Sequence, residues 1–322
     1  VYDQIEANPK SDTINAIARE LRGTEPDLII GLGGGSPLDA GKALALLAVN
    51  GGNIQDYEGR EKYLVDPLPF LAVPTTCGTG SEVTWVSVIT DVERKFKMSI
   101  KGPKLYPAAS IVDPDLIRTL PRSVIASTGL DALTHAVEAY LSKPATLITD
   151  MNAQRAVNLI LDSIEPAAAD IENNHGAREN LMFGSTIAGL AFGNSDVTAV
   201  HCISESIGAL YDVPHGTGNA IFLPHVLEYN RPSCQEKMAI LARATGITEK
   251  EDSAAATAFI QNIRQISARL GIPGFRDLNI DPQTFERIAA MCVENNSNPS
   301  NPRDLNRQDY LAILETAYGD SE

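Results

Sequence analysis

The sequence has no C-x-x-C pair, no apolar run of bilayer length and a shortage of positive charge. Each absence excludes something. The four cysteines, Cys77, Cys202, Cys234 and Cys292, are scattered through 322 residues. That scatter excludes a disulfide framework and points to buried, reduced thiols in a cytoplasmic protein. With no run long enough to span a bilayer and no signal-peptide pattern ahead of the first strand, no membrane role is expected. Lys and Arg number 26 against 41 Asp and Glu, a net charge of −15. Such a surface repels nucleic acid and anionic membranes, though a local phosphate site stays open. There are no internal repeats and no low-complexity segment. Histidine is scarce as well, with five in the chain.

What is present reads as a globular protein. A hydrophobic content of 43% is ordinary. The length exceeds what one core usually serves, so two domains are expected. Residues 1–120 read as α/β. Val1–Ile5 is strand-like, Asn8-Pro9 a turn, and Thr13–Leu21 a short amphipathic helix. Leu28–Ile30 and Pro69–Val73 are apolar runs typical of buried parallel strands. Val83–Thr90 and Phe96–Ile100 pair as strands, and Ile111-Val112 is one more. From Pro121 the texture changes to long helical periodicities near 124–141, 149–171, 178–192, 197–210, 219–229, 234–244, 253–270, 283–294 and 307–318. Residues 121–322 are therefore expected to form an all-helical domain.

Two strands end in small residues. The first runs into Gly31-Leu-Gly-Gly-Gly-Ser-Pro-Leu-Asp-Ala-Gly-Lys42. It misses both the G-x-G-x-x-G and the G-x-x-x-x-G-K-[ST] patterns, with Ser36 at the failing position of each. Ser36 is a good N-cap, Pro37 suits the first helical position, and Asp39 follows in the first turn. A strand, a glycine turn and a helix N-terminus make a phosphate cradle; the plainer reading is a tight turn. The second strand runs into Pro74-Thr-Thr-Cys-Gly-Thr-Gly-Ser-Glu82, which offers the hydroxyls of Thr75, Thr76, Thr79 and Ser81. Together the loops suggest two walls of one crevice. Lys97, on a neighbouring strand, is within reach of a phosphate or ribose, although most such lysines are simply exposed.

Two histidines bracket one segment, His201 to His215. Upstream, Asp131 and His135 stand four apart and share a helix face. A carboxylate and three imidazoles would make a shell that Fe²⁺ or Zn²⁺ accepts. The competing reading is a hydrogen-bonded Asp–His pair and satisfied core histidines. His225 either lines the cleft or caps a helix, and His175 reads as a solvated loop residue.

These segments resemble the iron-containing (group III) alcohol dehydrogenases. The likeness lies in G-G-G-S-P-L-D-A-G-K-A, P-T-T-C-G-T-G-S-E-V, G-L-D-A-L-T-H-A-V-E-A-Y and P-H-G-T-G-N-A-I-F-L-P-H-V, in the family's order and over essentially the whole chain. The resemblance implies a dinucleotide-binding domain, a helical metal domain and an active site between them. It implies Asp131, His135, His201 and His215 as ligands of Fe²⁺, with Zn²⁺ the alternative ion. Gly34, Gly35, Ser36 and Asp39 would hold the pyrophosphate of NAD or NADP. Thr75, Thr76, Thr79, Ser81 and Lys97 would line the cofactor path, with Pro9 in the same pocket. The implied reaction is hydride transfer between a small primary alcohol, diol or aldehyde and NAD(P), in a homo-oligomer.

Two departures stand out. Where many members carry a second histidine one turn after His201, this chain has Glu205. Glu205 and His215 are the candidate catalytic side chains, and Glu205 reads equally as a surface glutamate. The likeness also begins partway into the family's first domain. The Rossmann-like unit is accordingly expected to be incomplete, with exposed sheet edges that favour association and a weakened hold on NAD(P).

Overall fold

Strands occupy the first third of the chain in the computed structural model, which describes residues 1–320. Helix α1 (Ser11–Leu21) precedes strand β1 (Ile29–Gly33) and helix α2 (Gly35–Asn50). Then come β2 (Gly59–Arg60), β3 (Phe70–Pro74), β4 (Val86–Asp91), β5 (Phe96–Lys101) and β6 (Ala109–Ser110). Two three-stranded sheets result. In one, β1, β3 and β6 are parallel, with Gly31 opposite Ala72 and Ala72 opposite Ser110. In the other, β5 pairs antiparallel with β4 and parallel with β2.

Helix α2 joins the sheets because it is apolar on several faces. Leu44, Leu46 and Leu47 pack with Ile14 of α1 and with Ile89, Met98 and Ile100 of the hairpin. Leu38 and Ala45 pack on Phe70 and Ala72 of β3. A helix buried all round belongs inside a core.

The remaining helices are α3 (Arg122–Leu141), α4 (Leu147–Ala169), α5 (His175–Phe192), α6 (Ala199–Tyr211), α7 (His215–Ala244), α8 (Asp252–Leu270), α9 (Phe285–Glu294) and α10 (Arg307–Gly319). They share one large core. Within α3, every residue from Gly129 to Leu141 is buried, so its polar groups lie in the protein interior. Among the described residues no helix is long and apolar enough to cross a membrane.

Several local expectations need correction. Val1–Ile5 forms no strand. Strand β4 starts at Val86, after a 3₁₀ turn over Ser81–Val83, and the last strand is Ala109–Ser110 rather than Ile111-Val112. Ser36 is not the N-cap of α2. Gly34 takes that position, because consecutive glycines let the helix begin two residues closer to the strand. The two helices expected over 219–229 and 234–244 are present and meet across a kink within α7, but the first of them begins earlier, at His215. The kink falls at Cys234 (φ −141°), just after Pro232, whose ring removes a helical hydrogen bond. His175 opens α5 instead of lying in a loop, with Nδ1 2.8 Å from Arg178 Nη2.

The two parts meet where side chains are absent. Gly80, with φ +60°, lies against Gly189 of α5. A Cβ on Gly189 would stand 2.7 Å from Val83 Cγ2 and 2.9 Å from Gly80 Cα. Thr186 Oγ1 donates to Glu82 Oε1 at 2.7 Å, and Trp85 Nε1 donates to Gly193 O at 2.8 Å. These bonds hold the second small-residue loop on α5. Adding one methyl at this contact forces overpacking, which costs about 1–3 kcal/mol. We expect Gly189→Ala to lower the free energy of unfolding by that amount, read from urea denaturation midpoints; an unchanged midpoint would show that the contact is not tight.

Candidate active site

Helix periodicity creates the first half of the site. Asp131, His135 and Glu138 recur at four- and three-residue spacing along α3 and share its inner face. Helix α6 brings His201 onto that face. It ends at Asp212, which takes the left-handed conformation (φ 56°) that Asp tolerates better than most residues. Val213 and Pro214 complete the turn, and α7 starts at His215. Donor atoms of Asp131, His135, His201 and His215 all lie within 4.8 Å of one another. His135 and His201 are 4.6 Å apart between ring centroids, and His201 and His215 are 5.1 Å apart.

Each imidazole is held by Nδ1. His135 Nδ1 lies 3.2 Å from Gly78 O, His201 Nδ1 lies 2.5 Å from Glu138 Oε2, and His215 Nδ1 lies 3.1 Å from Ser204 Oγ. That leaves Nε2 of His201 and His215 directed at the cluster, where both meet Asn219 Nδ2. Outer hydrogen bonds of this kind set the tautomer and ring orientation of metal-binding histidines.

The donor set fits a divalent cation on two further counts. Bonds of about 2.1 Å to one ion hold donors no more than about 4.2 Å apart, so an ion would need to draw these four, already within 4.8 Å, only slightly closer. Asn219, one turn into α7, turns its Nδ2 toward Asp131 Oδ1 (2.6 Å), His201 Nε2 (3.1 Å) and His215 Nε2 (3.3 Å). Its Oδ1 is left buried without a partner. Three lone pairs thus converge on one electropositive group, as they would on a cation.

Electrostatics favour the same reading. Burial pushes His135 down to about 4. Burial also depresses His215 well below the usual histidine range, assisted by Lys97 and His201. Both rings are therefore neutral ligands at pH 7. His201 differs: burial works against its cation, but the Glu138 carboxylate outweighs burial and raises it. Glu138 is itself depressed, because His201 and the Thr198 hydroxyl overcome its desolvation.

The cluster forms one end of a cleft of about 500 Å³. Pro9, Gly35, Ser36, Asp39, Thr79, Ser81 and Lys97 line the same cleft. Gly35 and Ser36 form the first turn of α2, where backbone N–H groups lack helical partners and suit an anion. Gly34 sits behind them, and a Cβ there would be 3.1 Å from Thr76 Cγ2. Thr75 donates its N–H to Gly33 O at 2.8 Å. Thr75 and Thr76 therefore buttress the first loop from the side.

The carboxylate of Asp39 is engaged within the protein. It accepts from Ser81 Oγ at 2.6 Å and from Val88 N at 3.0 Å. Lys42 lies 4.0 Å away, wholly buried and bonded to Ser81, Thr84 and Val86. Burial lowers Lys42 to about 8 despite Asp39 and Glu82.

Lys97 is buried, contrary to the exposed role common for lysines. Its Nζ donates to Asn8 Oδ1 at 2.8 Å, while Asn8 Nδ2 donates to Asp212 Oδ1 at 2.8 Å. Glu205 lines the cleft one turn beyond His201, and its Oε2 accepts from Asn295 Nδ2 at 2.7 Å. Phe192 stacks on His135 at 4.3 Å. His225 does not reach the cleft. It is partly buried elsewhere on α7, with Nδ1 3.7 Å from Asp320 Oδ2.

Glu138, Asn219, Phe192 and Asn295 had not been singled out in the sequence. Glu138 and Asn219 follow His135 and His215 by three and four residues, a helical spacing that could have identified them. Asn295 carries no such signal.

Models of two segments of one family match nearly the whole chain. Residues 1–114 match the iron-containing alcohol dehydrogenase model, and residues 125–318 match the C-terminal model of the same family. The 1,3-propanediol dehydrogenase of Klebsiella pneumoniae is 40% identical, over 99% of this chain and 83% of that protein. The NAD-dependent methanol dehydrogenase of Bacillus methanolicus is 34% identical, over 98% of this chain and 84% of that protein. A solved structure of 1,3-propanediol oxidoreductase superposes with a TM-score of 0.94 at 39% identity, covering 98% of this chain and 83% of that one.

The Glu138–His201 pair yields a direct test. Glu138→Gln keeps an acceptor for His201 but removes the charge that favours its orientation and basicity. We expect a 10–100-fold weaker hold on Fe²⁺ or Zn²⁺ in chelator competition, with helical content preserved. Equal affinity in the variant would remove Glu138 from metal binding.

Proposed function

The chain belongs to the iron-containing alcohol dehydrogenase family, and on that premise we propose that it interconverts small primary alcohols or diols and their aldehydes, using one divalent ion held by Asp131, His135, His201 and His215. It is an NAD(P)-dependent, metal-containing oxidoreductase acting on CH–OH. The observation that carries the finer reading is positional. The four-donor cluster and the anion-receptive first turn of α2 line a single cleft.

An ion bound there supplies Lewis acidity, and the nicotinamide supplies the hydride acceptor. The chain's own residues do the rest. Backbone N–H groups of Gly35 and Ser36 receive the pyrophosphate. Gly34 and Asp39 shape that turn, Thr75 and Thr76 support it, and Thr79 and Ser81 face the cofactor across it. Lys97, steadied by Asn8, donates to the ribose beside Pro9. Phe192, stacked on His135, keeps water from one side of the cluster.

Glu205 serves as proton acceptor for the alcohol, directly or through a water. Its position one turn from His201 and its bond to Asn295 support that role. His215, partly open to the cleft, is the most exposed member of the cluster.

Metal-depleted protein reloaded with Fe²⁺ or Zn²⁺ tests the reading through nicotinamide absorbance on addition of 1,3-propanediol or 1-propanol. Activity is expected on reloading. His215→Ala should lose both stoichiometric metal and turnover while its circular dichroism stays helical; full metal content in that variant would remove His215 from the ligand set. Glu205→Gln should lower kcat by at least about tenfold and alter the pH–rate profile. A profile identical to wild type would discard the proton-acceptor role.

A further inference from the structure

Beyond Lys97, the outer part of one wall of the cleft has no part in this chemistry. On the inward face of the β4–β5 hairpin, Thr90, Val88 and Val86 lie opposite Lys97, Ser99 and Lys101. Alternate residues of a strand share a face, so three polar side chains stand in a row on β5. The row runs from inside to outside. Lys97 is 9% exposed, Ser99 and Lys101 are half-buried, and Arg60, opposite Lys101 on β2, is exposed at the mouth.

Lys97 has its partner in Asn8. Among the described residues, Lys101 Nζ and Ser99 Oγ have none. Arg60 lies over the Trp85 ring at 5.1 Å, and its Nε reaches Glu61 at 3.3 Å. Trp85 is itself pinned to Gly193 O, so the guanidinium rests on a fixed plate. Two cations side by side on neighbouring strands destabilise a sheet unless something neutralises them. Glu61 answers Arg60, but the acidic groups of the cleft leave Lys101 without a counter-charge. Asp196 accepts from Ser297 (3.0 Å) and Ser300 (2.6 Å), Asp39 accepts from Ser81 and Val88, and Glu205 accepts from Asn295.

We propose that Lys101 and Arg60, with Ser99, form a subsite at the mouth of the cleft for the anionic far end of a bifunctional substrate, whose aldehyde or alcohol end reacts at the metal cluster. The far group is a carboxylate, sulfonate or phosphate. The guanidinium offers a planar pair of donors, the ammonium a compact charge, and the hydroxyl a third donor. This proposal rests on the dehydrogenase reading of the cleft and names the substrate class.

Steady-state kinetics on the metal-loaded full chain, with NADH and with NADPH, compare 4-oxobutanoate with butanal. Wild type should favour 4-oxobutanoate in kcat/KM. Lys101→Met should lower the ratio between the two aldehydes by at least about tenfold, chiefly through KM for the anion. Lys101→Arg should restore most of it. Because each ratio is taken within one protein, a general loss of folding cancels. An unchanged ratio overturns the proposal, as does an effect confined to NADPH, which would assign the charge to the cofactor's 2′-phosphate. Butanal turnover without preference for the anion defeats this proposal alone, whereas turnover of neither aldehyde defeats the dehydrogenase reading and this one with it.

Discussion

Three imidazoles and a carboxylate share a desolvated space, and the structure depends on every one of their outward atoms being bonded. A buried polar group without a partner is costly. Gly78 O, Glu138 and Ser204 each meet one Nδ1, and Nε2 of His201 and His215 turns inward. Glu138 in turn accepts from Thr198 Oγ1 (2.5 Å) and Val200 N (2.8 Å) at the start of α6. A single carboxylate on α3 therefore orients His201 and anchors the helix that carries it. Metal affinity and helix packing are coupled through that side chain.

The same economy appears where the two parts of the chain meet. Gly80 and Gly189 bring the threonine- and serine-bearing loop against α5. The loop's Gly78 carbonyl then reaches His135. The loop that lends Thr79 and Ser81 to the cleft thus also holds a ring of the histidine cluster. From the other side, Asn8 links Lys97 to Asp212, the residue that lets the chain turn from α6 toward His215. Changes in the fit of one part are therefore felt by the ligands in the other. The cleft is left with one buried end, one open end and a line of positive charge between them.

Much of this was legible in the chain before any coordinates. The i,i+4 pair Asp131 and His135, the scarcity of histidine and the two small-residue loops after strands marked the cluster and the walls of the cleft, because those features are local and set by helical or strand periodicity. The change from strands to helices near residue 120 was equally readable. Local errors arose where glycine or proline permits more than one solution. Helix α2 begins at Gly35 instead of after Ser36, and the first part of α7 begins at His215, directly after Pro214, instead of at residue 219.

The sequence by itself determined which side chains could ligate a metal and which turns could admit a phosphate, since both follow from residue type and short spacing. Tertiary structure alone decided which of them meet. Nothing in the order of residues announces that Asn295 reaches Glu205 across 90 positions, that Glu138 rather than solvent faces His201, or that Lys101 lies beside Arg60. It also withdrew His225 from the cleft and buried Lys97 within it. The physical reason is that long-range neighbours are selected by the packing of whole helices and sheets, where burial and hydrogen-bond satisfaction are collective properties that no local pattern encodes.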